Sequence, residues 1–238
     1  MSRPFPQVTI AIIGGGLAGL SAARCLAQAD VDTLVIEARE RLGGRILTVD
    51  ATGALATNGF DLGPSWFWPH AQPDVAALVE ALGLAHVPQH SDGDVIFERM
   101  SRESAWRYRA TEQVPESMRL VGGTGALVRA LADTVPTNRL VTGRRVAALE
   151  LVDAGIRLST VDADGTRDVV QARHVLAAVP PRLLAELPFT PGLDAGSLDR
   201  WKATATWMAP HAKFFAIYDR PFWREAGLCG TAQSFVGP

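Results

Sequence analysis

"VTIAIIGGGLAGLSAARCLAQAD", residues 8–30, decides the fold. Val8 to Ile13 is a short, β-branched, apolar run, the pattern of a parallel strand buried on both faces. Gly14, Gly16 and Gly19 follow in GxGxxG spacing, and each has a physical task. The first allows a tight turn, the second lets backbone approach a pyrophosphate, and the third lets helix and strand pack closely. The helix that follows carries Ala18, Ala22, Cys25 and Ala29 along one side, small residues suited to packing on a sheet. Its amino end offers N–H groups and the positive pole of its dipole to an anion. A second strand, "DTLVIE", ends at Glu37, about where a dinucleotide fold keeps its ribose-binding carboxylate. A carboxylate there favours a free 2′-hydroxyl and disfavours NADP. NAD and FAD both use such a cradle.

Composition narrows the class. The chain has 238 residues, 47% hydrophobic, enough for one large or two ordinary domains with a real core. The formal net charge is -2 and no basic block occurs, so nucleic acid is not an expected partner. The densest basic stretch, Arg99 to Arg109, also holds Glu103 and reads as a solvated face or loop. Cys25 and Cys229 are the only cysteines and lack CxxC spacing, which argues against a disulfide framework or a zinc site. His86 and His90 are separated by Pro88, which argues against a shared helix face, and no metal site is expected. The opening "MSRPFPQ" has two prolines and no apolar core, so it does not read as a signal peptide. No unbroken run of eighteen apolar residues occurs, and a cytoplasmic location is expected.

"EARERLGGRILT", Glu37 to Thr48, separates FAD from NAD. Here the sequence resembles the flavin amine oxidase family, which includes monoamine and polyamine oxidases. In that family a Glu-Ala-Arg, a short spacer and a Gly-Gly-Arg follow the second strand and run along the FAD diphosphate and flavin. The resemblance carries those cofactor-binding roles to Glu37, Arg39, Gly44 and Arg45. The chemistry suits them, because a guanidinium stays charged and binds phosphate in a bidentate way. The segment "FDLGPSWFWP", residues 60–69, is similar to the family stretch that passes the flavin ring, which places Gly63, Ser65 and Trp66 there. Three aromatics in four residues fit a sealed core equally well. Val146 matches the family position whose backbone meets the adenine.

Further along, "QPDVAALVEALGL" reads as a helix, with Pro73 in its first turn and a stripe of Val75, Leu78, Val79 and Leu82. From Leu84 to Met118 periodicity is poor and a mixture of loop and short elements is expected. "VGGTGALVRALADTV" returns to a helix with Leu127 and Leu131 one turn apart. "RRVAALELV", "IRLSTV" and "TRDVVQA" read as three strands joined by turns at Asp153 to Gly155 and Asp162 to Gly165. Val175 to Val179 is a further apolar run, expected as a separate buried strand that rejoins the sheet and ends at Pro180 and Pro181.

"HAKFFAIYDRPFW", residues 211–223, alternates like a strand, with Lys213, Phe215 and Ile217 on one face and mostly apolar residues on the other. A strand buried on both sides is expected. Lysine is almost never fully buried without a partner, and an end-of-strand lysine that snorkels to water is one reading. The family resemblance supplies another. There a strand lysine precedes Pro-Phe-Trp and holds a water beside flavin N5, which makes Lys213 the candidate catalytic residue.

The expected fold is α/β, a Rossmann-like FAD-binding domain with a discontinuous, incomplete α+β substrate domain. The expected division is 1–70 and 119–180 for the FAD domain, 71–118 and 181–238 for the substrate side. The resemblance is expected to cover only the amino-terminal part of the family pattern, so that the chain would be a fragment, a split subunit or a truncated product. It implies FAD as cofactor, and an amine and O2 as small-molecule partners. A partner chain or a second copy is expected to cover the incomplete domain, where apolar residues such as Phe214 to Tyr218 would otherwise be bare. A desaturase-like or protoporphyrinogen-oxidase-like flavoenzyme, and a non-catalytic remnant, stay open beside the amine oxidase.

Overall fold

The structure is a computed structural model that describes residues 7–109, 116–206 and 211–236. The readings of the opening "MSRPFP" and of Gly237–Pro238 lie outside the described residues. The first half runs β1 (Val8–Ile13), α1 (Leu17–Gln28), β2 (Thr33–Ile36), β3 (Thr48–Val49), β4 (Phe60–Asp61), α2 (Pro73–Ala81), β5 (His86–Pro88), β6 (Asp94–Glu98), β7 (Trp106–Arg109) and β8 (Met118–Leu120). The second runs α3 (Gly125–Asp133), β9 (Leu140–Val141), β10 (Arg145–Val152), β11 (Gly155–Val161), β12 (Arg167–Ala177), α4 (Pro181–Leu184), β13 (Phe189–Thr190), α5 (Ala195–Ala203), α6 (Phe222–Glu225) and β14 (Leu228–Ser234). No helix among the described residues is long and apolar enough to cross a membrane.

Seven strands form the main sheet, in the order β13-β10-β11-β12-β1-β2-β9. β1 pairs in parallel with β12 on one side and β2 on the other. Alternation along these strands fills two cores. Ala11, Ile13, Leu34 and Ile36 join Leu149, Leu158 and Val170 on one face. Ile12 and Val35 join Ala23 and Val135 on the other. Both faces are covered, which is why the two strands read as continuous apolar runs.

A third cluster seats the helices. Leu20 of α1 meets Leu127, Val128 and Leu131 of α3, together with Val79 of α2, Ile46 and Phe67. Leu131 has no solvent exposure. Leu131→Ala should therefore lower the unfolding free energy by about 3 kcal/mol, within the range for emptying a buried leucine site. Urea denaturation monitored by circular dichroism measures this, and an unchanged midpoint would show that the cluster collapses without loss.

Three expectations need correction. The small-residue stripe of α1 is not its buried face: Gly19, Leu20 and Ala23 are buried, while Ala18 and Cys25 are exposed. The helix rotates to this face because Gly19 must meet the Gly14 carbonyl, and a Cβ at Gly19 would lie 1.9 Å from that oxygen. The runs at 166–172 and 175–179 are not two strands but mostly one, β12. Its first half pairs antiparallel with β11 and its second half in parallel with β1, so no break falls between them. The run from His211 to Tyr218 has no strand partner among the described residues, and Phe214 is 92% exposed. Alternation alone does not make a strand, and only a neighbouring strand could have made this run a ladder.

The basic stretch near Arg109 is also more ordered than a loop. β7 pairs with β6, and β6 pairs in parallel with β14, giving a separate three-stranded sheet. Arg107 donates to Asp94 at 2.6 Å and to the Ala226 carbonyl at 2.9 Å, tying this sheet to the turn before β14.

Candidate active site

The cradle begins where β1 ends. Gly14 has φ +103, and a Cβ there would lie 2.7 Å from the Ala178 carbonyl after β12. Its N–H donates to the Ile36 carbonyl at 2.9 Å. Gly16 is the residue before the first turn of α1, and no side chain caps that end. The first turn also holds no acidic residue. An uncapped amino end whose own first turn carries no acidic residue is suited to an anion.

The paired glycines dock onto this turn. The Gly43 N–H donates to the Gly15 carbonyl at 2.8 Å, and Gly16 and Gly43 form a parallel bridge. Gly44 has φ +58, and a Cβ there would stand 3.2 Å from the Gly16 Cα. The positive φ favours glycine here, and an added Cβ would crowd Gly16. Arg41 holds the loop from behind, donating to the Leu42, Gly44 and Ile46 carbonyls at 3.0–3.2 Å. Arg39 and Arg45 are exposed.

Glu37 directly follows β2 and is only 5% exposed. Its carboxylate accepts from the Gly15 N–H at 2.7 Å and from the Arg39 N–H at 2.9 Å. It therefore braces the glycine turn as well as standing at its edge. The segment before β10 lies against it, for the Arg144 N–H donates to the Glu37 carbonyl at 2.9 Å. Val146, two residues on, is buried in the sheet core.

At the other end of the cradle the chain crosses itself. A Cβ at Gly63 would lie 2.1 Å from the Arg45 carbonyl, so the two loops are in contact. Ser65 is buried, while Trp66 is 45% exposed with its ring edge-on to Trp68 at 6.3 Å. Trp66 is thus not a core seal. Lys213 reaches this loop from far along the chain. Its Nζ donates to the Asp61 carbonyl at 3.1 Å, to the Ser65 Oγ at 2.6 Å and to the Gly63 carbonyl. It also lies 5.8 Å from the ring centroids of Trp66 and Phe215, within cation–π range. Lys213 is exposed as a residue, yet its nitrogen is enclosed by three oxygens and two rings. Burial pushes its ammonium below the ordinary lysine range, the Asp61 carboxylate opposes the shift, and Arg119 adds to it.

Sequence reasoning missed the support beneath this site. Asp61 is 5% exposed, and one of its carboxylate oxygens accepts from Thr48 Oγ1 at 2.6 Å, Thr124 Oγ1 at 2.8 Å and the Thr124 N–H at 2.9 Å. The Gly125 N–H donates to Thr48 Oγ1 at 2.8 Å, so Asp61 and Thr48 together anchor the start of α3. The available signal was an acidic residue alone in the apolar "GFDLG". A cavity of about 460 Å³ lies behind the Gly43–Gly44 turn, lined by residues including Leu42, Ile46, Leu55 and Val128. The residues that line it do not include Gly14, Gly16, Glu37 or Lys213.

Comparison with known proteins gives two matching family models. A family model described as an NAD(P)-binding Rossmann-like domain matches residues 12–82, and one described as flavin containing amine oxidoreductase matches residues 99–236. The putative flavin-containing monoamine oxidase AofH of Mycobacterium tuberculosis is 40% identical over 111 residues, 47% of this chain and 23% of that protein. The L-amino acid dehydrogenase of Synechocystis is 22% identical over 332 residues, covering 97% of this chain and 68% of that protein. The structure of putrescine oxidase bound to putrescine superposes with a TM-score of 0.78 at 19% identity, covering 97% of this chain and 70% of that one. The aligned segment thus spans about a quarter of AofH.

These matches overturn the expectation of an amino-terminal part with an incomplete substrate domain. The amine oxidoreductase match begins in the middle of the chain and runs to residue 236, and the fold likeness extends over 70% of the putrescine oxidase chain. The fold class is a Rossmann-like FAD-binding domain together with an amine-oxidase substrate domain. On the substrate side the sheet pairs β6 with β14, more than a hundred residues later in the chain, and local periodicity carries no trace of such a pairing.

Proposed function

The chain belongs to the flavin containing amine oxidoreductase family, and from that premise we propose that it takes part in oxidation of an amine to an imine, with O2 reduced to H2O2. FAD is the cofactor of this fold. The residues fit it. The uncapped start of α1 and the close-packed Gly16 and Gly44 offer a diphosphate backbone N–H groups and room at short range. Glu37 would take the adenosine ribose, with the Val146 backbone towards the adenine. Arg39 and Arg45 supply positive charge along the diphosphate, and Gly63, Ser65 and Trp66 line the ring. When bound, FAD supplies a two-electron acceptor for the carbon that bears the amine.

The chain's own contribution lies around Lys213. Burial makes its proton easier to release than that of a surface lysine, and Ser65 Oγ at 2.6 Å gives that proton a path. The rings of Trp66 and Phe215, each with its centroid 5.8 Å from this nitrogen, are apolar surface beside it, suited to the carbon skeleton of an amine. The observation that carries the reading is the meeting of Lys213 with Gly63, Ser65 and Trp66, residues some 150 positions earlier in the chain. These are the residues that the resemblance assigns to one ring-facing site.

Glu37→Ala tests the cofactor reading. It removes an acceptor for the ribose and two braces of the glycine turn, so FAD affinity should fall by about 1–3 kcal/mol, the usual loss for a hydrogen bond to a charged group. Fluorescence titration of FAD against both proteins measures it. Tight NADP binding without flavin affinity would contradict the reading.

A further inference from the structure

We infer that Asp61 is the positioning residue of the Lys213 centre, holding that nitrogen in place and in its charged form. The inference rests on the amine oxidase reading for its functional meaning, but its geometry stands apart from it. Asp61 uses its two polar ends in two directions. The carboxylate clamps Thr48 and the Thr124 turn, and the backbone carbonyl receives Lys213 Nζ at 3.1 Å. The packing leaves no slack in this joint. Gly123 has φ +86, and a Cβ there would lie 2.7 Å from Thr48 Cγ2 and 2.9 Å from the Asp61 carboxylate. Thr124 Oγ1 also lies 3.0 Å from the Pro64 carbonyl, so its single proton is shared between that carbonyl and the Asp61 carboxylate, and the ring-facing loop rests on the same turn.

Three segments therefore converge on one residue: the β3–β4 pair and the start of α3 at its carboxylate, and Lys213 at its carbonyl. The negative charge also suits the positive amino end of α3. Two charged groups act on the Lys213 ammonium: Asp61, which favours the charged form, and Arg119 of β8, which disfavours it. Burial and Arg119 favour the neutral amine, whereas the Asp61 charge and the oxygens that accept from Nζ favour the ammonium. The Asp61 carboxylate thus opposes the downward shift that burial and Arg119 impose on this ammonium.

Lys202 and Lys213 are the only lysines of the sequence, so selective lysine labelling gives a two-signal NMR spectrum. Lys202 lies exposed in α5 and serves as the internal reference. The experiment follows both side-chain signals against pH in the full chain without added cofactor, wild type against Asp61→Asn. The amide oxygen of asparagine still accepts from the threonines, so the clamp is kept and only the charge is lost. The Lys213 midpoint should drop by roughly one pH unit, the low end for loss of a neighbouring opposite charge, while Lys202 stays fixed. An unchanged Lys213 midpoint overturns the inference. Should Asp61→Asn fail to fold, Thr124→Val removes one donor and leaves the charge. It should displace the Lys213 signal, and an unmoved signal again overturns the inference. FAD titration of the same samples separates the two readings. A chain that ignores FAD but whose Lys213 follows Asp61 loses only the amine oxidase reading. A chain that binds FAD while Lys213 ignores Asp61 loses only the positioning role.

Discussion

Gly19→Ala should abolish useful FAD binding. The added methyl would stand 1.9 Å from the Gly14 carbonyl oxygen and 3.3 Å from the Ala178 Cβ. The first contact is with backbone at the tightest point of the cradle, where no side chain can swing aside. Either α1 slides away from the turn or Gly14 gives up its position. In both cases the amino end of α1 loses its alignment with the Gly43–Gly44 loop, which bonds directly to the same turn. Overpacking costs about 3 kcal/mol at the upper end of its usual range, which corresponds to a Kd for FAD raised roughly 150-fold. Gel filtration followed by the visible absorbance spectrum of the protein peak checks this, with the far-ultraviolet spectrum as a control for fold. Wild-type flavin retention would mean that the approach of helix to turn is not what builds the site.

Lys213→Met should slow reoxidation of the reduced, FAD-loaded protein about a hundredfold, the low end for removing a positioned proton-transfer group. Methionine is close to lysine in length but cannot donate to the Ser65 hydroxyl or to the Asp61 and Gly63 carbonyls that now receive Nζ. Reduction by an amine should change less, because it does not call on that proton in the same way. The pH profile carries the sign. Burial lowers the pKa of Lys213, so the protonated form is lost as pH rises through a value below the ordinary lysine range. A rate that depends on that form should fall over that window in wild type and be flat in the variant. Stopped-flow reoxidation with oxygen measures both. Equal rates would return Lys213 to a structural clamp that fastens its segment to the loop at residues 61–65.

The parts legible in sequence were those whose cause is local. The glycine spacing after a β-branched run, Glu37 at the end of the next strand, and the helix of Leu127 and Leu131 each express a constraint within a few residues. Steric freedom at glycine and the periods of strand and helix act at that range, so the sequence by itself determined the cradle and the β1–α1–β2 unit. It also carried the family resemblance that singled out Lys213. It could not say how the α1 helix is turned about its axis, because a contact between Gly19 and a carbonyl five residues back is a matter of three-dimensional fit. It could not show that the run at 211–218 lacks a strand partner among the described residues, since alternation is the same with or without a neighbouring strand. Asp61 is the clearest case. Its three donors come from Thr48 and Thr124, and its carbonyl meets a lysine 152 residues later. Only the tertiary structure brings those groups together, because hydrogen bonds at a buried carboxylate are set by which segments the hydrophobic cores press against one another, and no local pattern records that choice.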